Sequence, residues 1–238
     1  TPDSFIVGNG ANEVIAFVIK AFCQEGDNII TADKTFAVYE WVAEFSGYEA
    51  RLVPLGEDYG FDAAAMLAAI DERTKVIFLC SPNNPTGSYW SEAKLRQFLD
   101  RIDGRQIVVL DEAYCEFVEA DDFPDGMKLL DEYPNLLVFR TFSKMFALAG
   151  LRIGFMAGAE KLIEVVRRTC VVYSVNSFAQ QAALGSLEDA VEHIGRTRAM
   201  VRQARQFLSG ELDKLNLFHL AGEANYMMIR LPMSDTPA

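Results

Sequence analysis

A doubly wound α/β domain on a mostly parallel seven-stranded sheet is the fold this sequence predicts, followed by the start of a small α+β unit. Three observations carry that prediction. Short β-rich apolar runs alternate with amphipathic runs of helical period. Several short runs are apolar throughout, such as Val76-Ile77-Phe78-Leu79 and Ile107-Val108-Val109-Leu110, as strands covered by helices on both faces require. After Asn176 the alternation stops and longer helical patterns take over.

The strand candidates are Phe5-Val7, Asn28-Thr31, Ala50-Pro54, Lys75-Cys80, Gln106-Leu110, Asn135-Arg140 and Leu151-Ala157. Helices are predicted over Asn12-Cys23, Thr35-Phe45, Asp62-Ile70, Ser91-Ile102 and Glu160-Cys170, with Asp62 and Ser91 as N-caps. Strands threaded by helices in this way indicate the doubly wound class. Ser177 to Leu187 then reads as one helix and Asp189 to Leu215 as a long charged one, before two short runs, Leu217-Leu220 and Tyr226-Leu231. We therefore expect a large domain over 1–190. Residues 191–238 are expected to form a connecting long helix and an incomplete small C-terminal domain.

The chain has 238 residues, half of them hydrophobic, and a net charge of −12. Such an acidic chain is not expected to bind nucleic acid or an anionic membrane. The basic cluster Arg196 to Arg205 has acidic neighbours and reads as a solvated helix face. Cys23, Cys80, Cys115 and Cys170 show no paired spacing, and only His193 and His219 are present. No metal site, disulfide framework or Ser-His-Asp triad is expected, and free thiols suit the cytoplasm. No apolar run approaches the roughly 18 residues of a membrane-spanning helix.

In a parallel α/β sheet, ligands bind beyond the carboxyl ends of the strands. Three polar clusters fall there: Asn84 after strand Lys75-Cys80, Asp111 and Tyr114 after strand Gln106-Leu110, and Thr141, Ser143 and Lys144 after strand Asn135-Arg140. Lys144 is the candidate amine nucleophile. Asp111 suits a protonated pyridine nitrogen, because a nearby carboxylate favours the cation. An ATPase-type metal role for Asp111 lacks its phosphate loop, since no Gly-x-x-x-x-Gly-Lys sequence is present. Tyr114 and Asn84 suit a ring oxygen, with Pro85 and Gly87 fixing the turn that aims Asn84. Arg152, Thr141 and Ser143 suit a phosphate. Gly10, Ala11 and Asn12 open the first helix, whose N-terminus offers a second anion site. Phe36 suits stacking on a pyridine face. Tyr39, one turn later, is placed behind Asp111 and ranks below Phe36. Together these groups suit a phosphorylated aromatic aldehyde held as an imine.

The chain resembles the fold-type I pyridoxal-phosphate aminotransferases (class I/II) over essentially its whole length. The residues behind this are Gly8-Asn9-Gly10-Ala11-Asn12-Glu13, Asn83-Asn84-Pro85-Thr86-Gly87, Asp111-Glu112-Ala113-Tyr114, Arg140-Thr141-Phe142-Ser143-Lys144, Ala149-Gly150-Leu151-Arg152-Ile153-Gly154 and Val175-Asn176-Ser177. Within that family it is most similar to the histidinol-phosphate branch. The resemblance implies pyridoxal 5'-phosphate as cofactor, an amino-acid or amino-alcohol-phosphate donor, a 2-oxo-acid acceptor and a homodimer. It also implies that Asn225, like Asn84, approaches the substrate. The family's N-terminal arm tyrosine would precede Thr1, and its C-terminal arginine would follow Ala238. The stretch Val171 to Asn176 departs from the branch's Pro-Phe-Asn-Val-Asn. Two other readings remain open: a decarboxylase resembling threonine-phosphate decarboxylase, and an inactive regulatory or sensor domain on the same fold.

Overall fold

The structure is a computed structural model that describes residues 1–102 and 104–231. Seven strands form one sheet: β1 (Phe5–Gly8), β2 (Asn28–Ala32), β3 (Glu49–Val53), β4 (Thr74–Cys80), β5 (Ile107–Asp111), β6 (Leu136–Thr141) and β7 (Gly154–Gly158). Their order is β1-β7-β6-β5-β4-β2-β3. Strands β3, β2, β4, β5 and β6 pair in parallel, while β7 runs antiparallel to both β6 and β1. One reversed strand in a parallel sheet matches the predicted class.

The central strands are buried at nearly every position. All residues of β2 and β5 are enclosed, as are all of β4 except Lys75. Helix α1 (Ala11–Phe22) lies across one face against β1, β4, β6 and β7, with α2 (Val38–Phe45) and α6 (Glu160–Arg167) beside it. Its buried residues Val14, Ile15, Phe17, Val18 and Ile19 face that core. The remaining helices are α3 (Ala63–Ala68), α4 (Glu92–Leu99), α5 (Gly126–Leu129), α7 (Ser177–Glu188) and α8 (Ala190–Lys214). Asp62 and Ser91 do act as N-caps, accepting from the N–H groups of Ala65 and Lys94. A short hairpin of β8 (His219–Leu220) and β9 (Met228–Ile229) follows α8. Residues 232–238 of the expected small domain lie outside the described residues. None of the described helices is long and apolar enough to cross a membrane.

Two boundaries differ from the sequence reading in ways that matter for the site. Strand β7 starts at Gly154, not Leu151, because Ala149–Leu151 forms a 3₁₀ turn and Arg152 takes a left-handed backbone, φ 59°. Helix α2 starts at Val38, not Thr35, so Phe36 lies in a loop. The arginine cluster on α8 also departs from a solvated face. Arg198 donates to the Glu116 carbonyl at 3.0 and 2.8 Å, Arg202 to Glu119 at 2.6 Å, and Arg205 to the Gly222 carbonyl. Positions 198, 202 and 205 share one helix face, and that face docks α8 on the loops after β5 and β8. Arg196 points elsewhere and pairs with Glu192 at 3.6 Å.

Side chains alternate across a sheet. Glu112 and Arg140 therefore turn away from Asp111 and Thr141, their neighbours in sequence. Arg140 donates to Glu112 at 2.8 Å and to Asp125 at 3.0 Å, while Glu112 also accepts from the Gly126 N–H at 2.9 Å. Glu112 is fully enclosed, and burial pushes its carboxyl up to about 7 against the pull of Arg140. This network locks the ends of β5 and β6 together behind the cleft. Breaking a buried pair from one side leaves the other charge uncompensated. Arg140→Gln should lower unfolding free energy by about 3 kcal/mol, measured by urea denaturation at pH 7.5. A loss under about 1 kcal/mol would show that the pair does not hold the strand ends.

Candidate active site

The carboxyl ends of β1, β4, β5 and β6 open onto one cleft. Because β7 is reversed, its amino end joins them, and Gly154 pairs with both Thr141 and Gly8. Ala11, Asn12, Phe36, Asn84, Asp111, Tyr114, Thr141, Ser143, Lys144 and Arg152 line this cleft. Ten of the sequence candidates thus meet, from six separate segments. Cys80, Ala113 and Ala149 complete the wall.

Asp111 closes the floor. It is the last residue of β5 and only 2% exposed. Its Oδ2 accepts from the Tyr39 hydroxyl at 2.5 Å and its Oδ1 from the Ala113 N–H at 3.0 Å. Burial pushes the carboxyl up to about 6, opposed by those two bonds and by the charge of Lys144. Tyr39 is itself fully buried and stacks on Phe78 with centroids 4.7 Å apart. Burial and the Asp111 charge hold its phenol well above the usual range, so Tyr39 remains a donor. The sequence reading put Tyr39 behind Asp111, yet ranked it below Phe36. The structure makes it the carboxylate's direct partner.

Lys144 Nζ stands 5.1 Å from the centre of the Tyr114 ring. Burial first, then Cys80 and Asp111, raises the Tyr114 phenol. Burial likewise pushes the Cys80 thiol up to about 12, which keeps it protonated beside these groups.

The opposite end of the cleft suits an anion. No side chain caps the N-terminus of α1, so its first N–H groups have no partner within the helix. Glu13 turns back to the Asn9 N–H at 2.7 Å. The Arg152 guanidinium lies against Gly10 so closely that a Cβ there would meet Nη2 at 2.1 Å. Gly10, with φ 79°, is thus the space that Arg152 occupies. The Thr141 hydroxyl donates to the Ile153 carbonyl at 3.2 Å and accepts from the Ser143 N–H at 3.1 Å. Thr141 therefore ties β6 to the stretch entering β7, while the Ser143 hydroxyl has no hydrogen-bond partner among the described residues.

Asn225 is exposed and does not line the cleft. Its neighbour Tyr226 reaches inward instead. The Tyr226 ring meets Tyr114 edge-on, 5.1 Å between centroids at 87°, and its hydroxyl donates to the Asn83 carbonyl at 2.6 Å. Sequence reading missed Tyr226 and Asn83. An aromatic directly after a candidate polar residue was the only available signal for the first.

Comparison with known proteins agrees with this geometry. The model of the family described as aminotransferase class I and II matches residues 1–236. Histidinol-phosphate aminotransferase 2 of Pseudomonas fluorescens is 38% identical over 235 residues, covering 99% of this chain and 63% of the relative. The histidinol-phosphate aminotransferase of Bacillus subtilis is 44% identical over 186 residues, covering 78% of this chain and 52% of the relative. The crystal structure of histidinol-phosphate aminotransferase from Sinorhizobium meliloti, in complex with pyridoxal-5'-phosphate, superposes with a TM-score of 0.90 at 24% identity. That match covers 96% of this chain and 62% of the other, and it speaks to the fold. The chain spans less than two thirds of the length of these relatives. From its sheet, its cleft and these matches, the chain belongs to the class I and II aminotransferase family.

Proposed function

We propose that this chain carries the cofactor-binding part of a pyridoxal-phosphate-dependent aminotransferase that uses histidinol phosphate as amino donor and 2-oxoglutarate as acceptor. The observation that carries the reading is a cleft-lining lysine, Lys144, sharing one cleft with a buried carboxylate, Asp111. The identity to histidinol-phosphate aminotransferases supports the substrate. We extend the reading to two parts, a large cofactor domain over 1–190 and the beginning of a small domain after it. The four free thiols support a cytoplasmic setting. No nucleic-acid or membrane partner is part of it.

The donor set fits pyridoxal 5'-phosphate. An uncapped helix start and Arg152 would take the phosphate. Asp111 would take the ring nitrogen, Asn84 and Tyr114 the ring oxygen, and Phe36 one face of the ring. When bound, the cofactor supplies a carbonyl that accepts an amino group and a ring that delocalises electrons from the substrate carbon. Lys144 Nζ would then act as the positioned amine that takes up and returns the substrate's proton. Asp111, ionised, would favour a proton on the ring nitrogen, and Tyr39 and the Ala113 N–H keep that carboxylate oriented. Buried Tyr114 and Cys80, both held protonated, add no competing charge to the floor.

A second copy of the chain is the proposed partner. A broad apolar groove runs between the β1/β7 edge and α7, lined by Val7, Phe155, Val171, Tyr173, Leu184 and Leu187. Tyr173 in this lining is 98% exposed, and Phe178, at the start of α7, is 80% exposed. An apolar surface of this extent marks an association site, and two-fold homodimers are the commonest closed assembly.

Three outcomes check the proposal. Borohydride treatment of protein loaded with pyridoxal phosphate should fix the label on a peptide containing Lys144, and Lys144→Ala should lower kcat by about 100-fold or more. A label on another lysine would refute the assignment. The second concerns pH. The folded-state value of Asp111 lies above the ordinary 3.8, so folded protein holds a proton there that the unfolded chain releases. The stability this contributes is complete below 3.8 and fades as pH rises through about 6. Ionised Asp111 is the form that pairs with a ring cation. Affinity for pyridoxal phosphate should therefore rise between pH 5 and 7, with a component that Asp111→Asn abolishes. Equal pH profiles for wild type and variant, from absorbance titrations, would remove Asp111 from this role. Third, full-length protein should sediment as a dimer, and Phe178→Asp with Leu184→Asp should convert it to monomer. A double variant that stays dimeric would move the interface elsewhere.

A further inference from the structure

Asn83 is completely enclosed, and its side chain and peptide are fully engaged. Its Oδ1 accepts from Thr35 Oγ1 at 2.6 Å, and its Nδ2 donates to the Lys34 carbonyl and to Thr86 Oγ1, both at 2.9 Å. Its backbone N–H donates to the Ser88 carbonyl at 2.7 Å. Its carbonyl accepts from the Gly87 N–H at 2.7 Å and from the Tyr226 hydroxyl at 2.6 Å. Three chain segments meet on this residue. One is the loop that carries Phe36, the second is the turn that carries Asn84, and the third is the C-terminal stretch that carries Tyr226.

The two cleft residues on either side need such a support. Phe36 precedes α2 and lies outside any regular element. The Asn84 side-chain amide, one residue from Asn83, makes no hydrogen bond of its own among the described residues. Left to themselves, both would sample several positions, because loops lack the ladder bonds that fix strands. A flat aromatic ligand placed against Phe36 and bonded by Asn84 requires both at once, and displacement by about 1 Å is costly. Asn83 bridges the two loops with two side-chain bonds, to Thr35 and the Lys34 carbonyl, and braces its own turn with a third, to Thr86. The C-terminal segment presses on the same turn. The Glu223 N–H donates to the Gly87 carbonyl at 2.9 Å, and a Cβ at Gly87 would sit 2.8 Å from the Gly222 Cα.

We propose that Asn83 is a positioning residue that sets the gap between Phe36 and Asn84, and that Tyr226 ties the C-terminal segment to that gap. The inference rests on the reading of the cleft as a pyridoxal phosphate site. Asn83 touches neither cofactor nor substrate; it acts through Phe36 and Asn84. Neither a shorter residue nor an acceptor-only one can replace it. The Lys34 carbonyl needs a donor and the Thr35 hydroxyl needs an acceptor at the same point.

The test uses purified full-length protein and pyridoxal phosphate. Asn83→Asp keeps the shape and removes both side-chain donors. Thr35→Val removes the third bond from the other side, also without change of shape. Binding is followed by absorbance, together with the pH midpoint of the bound cofactor's visible band, and thermal denaturation reports on the fold. Well below the melting temperature, Asn83→Asp should weaken binding by about tenfold or more and shift the midpoint. Thr35→Val should weaken it by about threefold, and the double variant should lose less than the product of the two. Tyr226→Phe should shift the midpoint in the same direction by less. Variants that melt earlier yet bind with wild-type affinity and an unchanged midpoint would overturn the proposal, because Asn83 would then serve stability alone. If Asn83→Asp does not fold, Thr35→Val decides by the same criteria. Wild-type protein that leaves pyridoxal phosphate unbound would overturn both this proposal and the cleft reading. Wild-type binding with unaltered variants would overturn this one only.

Discussion

The cleft is organised around the cost of keeping a carboxylate out of water. Asp111 lies at the end of a fully enclosed strand, where desolvation alone would keep it protonated. The groups that oppose this come from different parts of the chain. Tyr39 belongs to α2, the Ala113 N–H to the turn after β5, and Lys144 to the loop after β6. Each must arrive in register for the carboxylate to be usable. The demand reaches further inward, since Tyr39 is held flat against Phe78 of β4. Chemistry at the surface of the sheet thus depends on packing in its centre.

The opposite face of the same strands answers a second demand. Glu112 and Arg140 flank Asp111 and Thr141 in sequence but sit on the other side of the sheet. The strand ends are therefore fixed from below while their upper faces remain free for a ligand. Rigid support beneath an open cleft is what a preorganised site requires.

Much of this was legible in the sequence, and the exceptions have physical causes. Uninterrupted apolar runs revealed β4, β5 and β6, because a doubly covered strand has no polar face to disguise it. Polar residues directly after those runs revealed the cleft. Helical periodicity ran too far upstream at α2, because Lys34 and Thr35 are claimed by Asn83. The Lys34 carbonyl, which Val38 would use in a helix, accepts from the Asn83 amide instead. Local pattern lost there to a long-range bond. The strand reading at Leu151-Arg152 failed for a similar reason, since the backbone turns left-handed to bring the guanidinium against Gly10. The arginines of α8 looked like a solvated face because two of their partners are backbone carbonyls, which a sequence does not display. Asn83 was hidden by its neighbour: one asparagine before a proline reads as part of a turn, whatever its side chain holds.

The position of β1 has a consequence for how the chain assembles. Among the described residues its sheet neighbour is β7, so β1 cannot be placed until that much later segment has been made. Helix α1 follows β1 directly, and the end of the cleft that holds Arg152 opens with it. During synthesis, the rest of the sheet can pair in sequence while this end waits for Gly154–Gly158 to emerge. Pairing between such distant segments is intrinsically slow. The apolar face of α1 must remain guarded through that interval, which exposes β1 and α1 to misassembly before the cleft exists.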